Sequence, residues 1–121
     1  MEAEVAKRLF DALQAARRIR AFTGTSDFGQ FAKSELVRSA VERQFEIIGE
    51  ALGKAAGMDP SLVEQMPDLP QIVGLRNRLI HGYDSVDDEI IWDIVQTRIL
   101  PLIERLEVSL GKLGFPTEVV E

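Results

Sequence analysis

Eight consecutive residues, Arg76-Asn77-Arg78-Leu79-Ile80-His81-Gly82-Tyr83, hold the single histidine and the single tyrosine of the chain, together with two arginines and an amide. A neutral imidazole accepts a proton near neutral pH, and a guanidinium keeps its positive charge throughout. These are the parts needed to open an RNA phosphodiester without a metal. The reaction asks for a base to activate the 2′-hydroxyl, an acid for the leaving oxygen and a cation for the phosphorane. Each residue also has a plain structural reading. His81, in a last helical turn beside Gly82, is a favourable C-terminal charge. Tyr83 would pack its ring on the end of a helical bundle.

At 100° per residue, Ile72, Val73, Leu75, Leu79 and Ile80 share one apolar face of a helix, and Arg76 points into its middle. A guanidinium there needs a carboxylate or an anionic ligand. Glu46 and Glu50, on the preceding long helix, are the candidate structural partners. The functional alternative is an interface cleft in which Arg76 meets phosphate, and periodicity does not choose between the two. His81 follows Arg76 by five residues, so about 140° separates them on one helix, whereas Asn77 is four residues before His81 and shares its face. A two-fold dimer removes the difficulty by supplying two histidines and two arginines from facing helices. A homodimer is therefore expected.

Other chemistries find no residues to carry them. The absence of cysteine excludes disulfides, thiolate metal sites and cysteine nucleophiles. There is no glycine-rich phosphate loop, no Gly-x-Ser-x-Gly and no His-x-x-x-His. Asp87-Asp88-Glu89 falls at a helix start, where carboxylates complement the dipole, and is not read as a magnesium site. No metal or cofactor is expected. The net charge of −6 is unevenly placed, with nine basic and nine acidic residues in 1–60 but five and eleven in 61–121. An anionic ligand must then be met by a local cationic cluster. Arg17, Arg18 and Arg20 form one such group, read either as dipole complements at a helix end or as an RNA-facing patch. No apolar run approaches the ~18 residues of a membrane span, and Met1-Glu2-Ala3-Glu4 does not resemble a signal peptide, so a cytoplasmic protein is expected.

The elements that must position these residues are helices. Val5, Leu9, Ala12, Ala16 and Ile19 recur at helical spacing and predict a first helix over about Ala3–Phe22. After a connection at Thr23–Gly29, a long helix begins between Asp27 and Ser34 and ends near Gly57. Its stripe is Leu36, Val37, Ala40, Val41, Phe45, Ile48, Ala51, Leu52 and Ala55. Gly49 lies inside it, which close helix packing would explain. Asp59-Pro60 suits a short turn over Pro60–Glu64, and Pro70 opens a third helix, Pro70–His81. Ser85 with Asp88 resembles a capping box. A fourth helix runs to about Leu110 with Ile91, Ile94, Val95, Ile99, Leu102, Ile103 and Leu106 inward, kinked by Pro101. Residues 110–121 read as a tail. The class is all-α, a single domain over 1–121 built as a four-helix up-and-down bundle.

The string RNRLIHGYDSVDDEIIWDIV, preceded by FEIIGEAL at Phe45–Leu52, resembles the HepT-like toxins of the HEPN superfamily. The shared core is an arginine, four residues, then His-x-Tyr, and the resemblance extends over most of the chain. It implies a dimerising helical bundle that acts as a metal-independent ribonuclease, the toxin of a type II toxin–antitoxin pair. It implies a nucleotidyltransferase antitoxin as partner, which silences the toxin by adding adenylate to the motif tyrosine. By position, Arg76 and His81 become the ribonuclease residues, Asn77 the polar residue beside them, and Tyr83 the acceptor of adenylate. Two other readings stand beside this one. One is a non-catalytic helical adaptor that binds a nucleotidyltransferase or a nucleotide. The other is a plain dimeric bundle in which Arg76 is structural.

Overall fold

The computed structural model of the chain describes residues 2–81 and 87–117, with Ile80 and His81 described in backbone only. The described residues are helical throughout, in seven segments: α1 (Glu2–Thr23), α2 (Phe28–Lys33), α3 (Glu35–Met58), α4 (Leu62–Gln65), α5 (Leu69–His81), α6 (Asp88–Thr97) and α7 (Ile99–Lys112). The bundle's members are α1, α3, α5 and the α6–α7 pair, and α2 and α4 are short connectors. Helix α3 is central and packs against both α1 and α5, while α7 lies on α1 and α2 bridges α3 and α6.

The core follows the periodicity. Leu9, Leu13 and Ile19 of α1 are fully buried against Val41, Phe45, Ile48 and Leu52 of α3, with Ile91, Ile99, Leu106 and Leu110 closing the cluster. Leu36 departs from expectation, being 81% exposed. It lies about 140° around the helix from Val41, off the buried stripe. Trp92 sits on the ring of Phe31 at 5.1 Å, so α6 docks on α2 through aromatic faces.

Two starts compete at the beginning of the expected second helix, and both are used. Asp27 caps α2 in a reciprocal capping box with Gln30, and Ser34 accepts from the Val37 amide to cap α3. The short turn falls two residues later than expected. Asp59 accepts from both the amide and the hydroxyl of Ser61 and delays α4 to Leu62. Pro101 produces two helices where one kinked helix was expected. Its ring excludes the carbonyl of residue 97, so α6 ends at Thr97 and α7 restarts at Ile99. The cap of α6 is Asp87, whose side chain accepts from the Glu89 amide at 3.0 Å. Ser85, expected in that role, lies outside the described residues.

The expected tail is partly structured. Helix α7 continues to Lys112, and Gly114 takes a left-handed conformation (φ +77°) that lets the Phe115 amide bond back to Leu110. The chain then returns to α1, where Arg17 donates to the Thr117 carbonyl at 2.6 Å and pairs with Glu107 at 3.3 Å. Arg17 is thereby spent on structure.

Candidate active site

The site is built on α5, and two contacts fix that helix while a third ties down α6 beyond it. At its start, Asp68 accepts from Arg98 at 2.6 Å and from Arg105 at 3.0 Å, joining the head of α5 to α7. At its middle, Arg76 passes directly over Gly49 of α3: a Cβ on Gly49 would stand 2.2 Å from the Arg76 Cβ. Glycine is there because two helices approach through it, as its place inside α3 suggested. Past the motif in sequence, the described residues resume at Asp87. There Arg38 of α3 pairs with Asp88 at 3.7 Å and also donates to the Ala32 carbonyl, so α6 is tied to α2 and α3. Neither Asp68 nor Arg38 carried a local signal, since their partners lie 30 to 50 residues away.

Arg76 is half-buried. One terminal nitrogen, Nη1, donates to Asn77 Oδ1 at 2.9 Å. The Nε is fully buried and meets no acceptor among the described residues. The two carboxylates expected to neutralise it are occupied on their own helix. Glu46 pairs with Arg43 at 3.6 Å and Glu50 with Lys54 at 3.1 Å, and neither forms an ion pair with Arg76. Glu50 is nonetheless close enough to feel Arg76. Its carboxyl is held below the usual range first by the Lys54 hydrogen bond and charge, then by Arg76 and Arg43. On the other side, burial pushes the Glu42 carboxyl up, and Asp88 and Glu46 add to that against the opposing charge of Arg38.

Asn77 is brought to Arg76 as its neighbour in sequence and its acceptor in space. His81 is the last residue of α5, five positions on, which keeps the helical offset of about 140° for its backbone. Its side chain and Tyr83 lie outside the described residues. Among the described residues no three histidine or acidic side chains group as metal ligands. No described helix is long and apolar enough to cross a membrane.

Fold and site thus define an all-helical protein with a guanidinium held, incompletely satisfied, on the seam between its two central helices. Residues 12–109 match the family described as Ribonuclease HepT-like, and the chain belongs to that HEPN-superfamily family. Among relatives, "Putative RNase MJ1380" of Methanocaldococcus jannaschii is 34% identical over 102 residues, covering 83% of this chain and 91% of its own. "Putative RNase MJ0127" of the same organism is 34% identical over 101 residues, with 82% and 81% covered. "Probable ribonuclease HepT" of Thermococcus cleftensis is 31% identical over 101 residues, covering 82% and 89%. No solved structure gives a significant match.

Proposed function

We propose that the chain is a metal-independent endoribonuclease, the toxin of a toxin–antitoxin pair, with a composite site where two copies meet. The observation that carries this reading is the half-buried Arg76 guanidinium, which enters no ion pair among the described residues while Glu46 and Glu50 are paired on their own helix. A permanent cation without a counter-charge is costly in a partly buried place, and an RNA phosphate reaching the exposed end of the guanidinium supplies one. The family and the names of its relatives point to the same substrate.

In this mechanism the neutral imidazole of His81 takes the proton of the 2′-hydroxyl, whose oxygen attacks phosphorus. The bond to the 5′-oxygen breaks, leaving a 2′,3′-cyclic phosphate, and that oxygen takes a proton from the imidazolium of the second copy. Arg76 faces the developing charge on the phosphorane, held in plane by Asn77. Adenylate added to Tyr83 by a nucleotidyltransferase brings a phosphodiester anion and a bulky base to this site and competes with RNA for its cation.

Intact-mass measurement and RNA cleavage on the same preparation test the proposal. Unmodified wild-type dimer should cleave RNA, and His81→Ala should not. Incubation with the neighbouring nucleotidyltransferase and ATP should add adenylate at Tyr83 and silence the chain, while Tyr83→Phe should cleave and escape silencing. Cleavage by His81→Ala at the wild-type rate would overturn the ribonuclease reading. Partner binding without any RNA cleavage by the unmodified dimer would favour the adaptor.

A further inference from the structure

A second cationic feature lies where α3 packs on α1. Between α1 and α3 lies an open cavity of about 300 Å³. Arg8, Gln14 and Arg18 border it along one stripe of α1, about 15 Å from end to end at 1.5 Å per residue. Its two carboxylates are each taken up by a lysine on the same helix. Asp11 pairs with Lys7 at 3.2 Å, and Glu50 pairs with Lys54 at 3.1 Å. Arg8 and Arg18 enter no ion pair among the described residues. Two guanidinium groups are left over in one depression of a chain whose net charge is −6.

The remaining wall is apolar, made by Phe10, Ile47 and Ala51. Paired guanidinium donors beside an apolar surface suit a nucleotide, which brings a phosphate and a flat base together. A simple anion would have no use for the apolar wall. Glu50 ties this cavity to the proposed active site, since it borders the cavity on one flank and senses the charge of Arg76 on the other. Helices α1 and α5 both pack on α3, and neighbouring helix axes lie roughly 8–10 Å apart, so at most about 20 Å separates the α1 and α5 axes, a span that a few nucleotides of single-stranded RNA can cover.

We infer that the α1–α3 cavity is an RNA subsite in which Arg8 and Arg18 bind phosphates of the strand whose scissile phosphate lies at Arg76. The inference rests on the ribonuclease reading and adds where the strand runs. It also gives Arg18 a role that its place near the end of α1 does not explain, since Arg17 is the residue spent on helix and tail contacts.

The test compares wild type with Arg8→Ala/Arg18→Ala, and with Lys112→Ala, an exposed cation at the end of α7, as a control. Cleavage of a single-stranded oligoribonucleotide is followed across substrate and salt concentrations, with melting temperature confirming the fold. Binding of the same RNA is measured by anisotropy in the His81→Ala background. The double variant should bind about tenfold more weakly, with the loss falling on KM. Its slope of log K against log salt should be shallower by about 1.4, two single-strand contacts at ~0.7 each. Lys112→Ala should match wild type. If wild type cleaves RNA and the double variant has the same KM and salt slope, the subsite is wrong while the ribonuclease reading stands. If wild type neither binds nor cleaves RNA, both fall together. Unchanged RNA binding with weakened association to the nucleotidyltransferase would make the cavity a protein-docking surface and overturn the inference.

Discussion

Gly49 of α3 and Arg76 of α5 meet so closely that position 49 has no room for a side chain. A Cβ added to Gly49 would lie 2.2 Å from the Arg76 Cβ, 2.7 Å from its Cγ and 3.3 Å from the Ile72 carbonyl oxygen. The obstructing atoms belong to the root of the arginine side chain and to backbone, so a rotamer change cannot clear them. Either α5 retreats from α3 or Arg76 leaves its place.

Gly49→Ala should therefore be destabilising by about 1–2 kcal/mol, overpacking outweighing the ~1 kcal/mol that alanine gains in a helix. It should also reduce cleavage by more than tenfold. In an Arg76→Ala background the same substitution should still cost stability, because alanine keeps the Cβ that stands 2.2 Å from the one added at Gly49. Gly74→Ala is the matched control. A Cβ there meets nothing within 4 Å, and the change should stabilise by up to ~1 kcal/mol. Urea denaturation and initial rates on the four variants check the set.

Asp68 serves two arginines at once, and its carboxylate is mostly covered while both partners are substantially exposed. Asp68→Asn should cost about 1 kcal/mol, more than an isolated surface pair because both contacts go together. It should lower the melting temperature by roughly 4 °C. Because the pairs are partly exposed, the difference from wild type should narrow as salt is raised. An equal loss at low and high salt would show that Asp68 acts through something other than these pairs.

Glu42 gives a dependence on pH with a definite sign. Its carboxyl is raised above the ordinary value of 4.5 by burial, then by Asp88 and Glu46, with Arg38 opposing. A raised folded-state value means that the protonated form suits the fold. Its contribution is present below 4.5 and lost as pH climbs through the raised value. Glu42→Gln should thus be more stable than wild type at pH 7 by less than ~1 kcal/mol, with the advantage vanishing in acid. Thermal melts of both proteins between pH 4 and pH 7 measure it, and an advantage that grew in acid would contradict the assignment.

The long helices were legible because burial repeats at their own period: Leu9, Leu13 and Ile19 or Val41, Phe45 and Leu52 announce both the element and its inward face. Gly49 was legible too, since a glycine inside so regular a stripe asks for a neighbour at close range. The partner of Arg76 was not. Glu46 and Glu50 satisfy any rule about charge and spacing, yet Arg43 and Lys54 stand one turn away on the same helix and take them at less cost in chain entropy. Asp68 with Arg98 and Arg105, and Arg38 with Asp88, depend on tertiary proximity that no local pattern encodes. The tail misled for a related reason. Residues 110–121 read as a tail, whereas the left-handed turn at Gly114 sends the chain back toward Arg17.

Arg76→Lys separates what the arginine does as a charge from what it does as a shape. A lysine at this position keeps the aliphatic stem over Gly49 and the positive charge. It loses the planar fork that bonds Asn77 through Nη1, and with it the buried Nε. Removing a buried donor that lacks an acceptor should not harm the free protein, so stability should stay within about 1 kcal/mol of wild type or rise slightly. Cleavage should fall by about 10²-fold, the scale of losing one preorganised donor to a developing oxyanion, and most of that fall should appear in kcat. Substrate is met by a cation in both proteins, whereas only the guanidinium is oriented for the phosphorane. Melting temperature, kcat and KM on one RNA oligonucleotide decide it. A lysine variant that cleaves at the wild-type rate would reduce Arg76 to a point charge and remove the reason for its seat against Gly49.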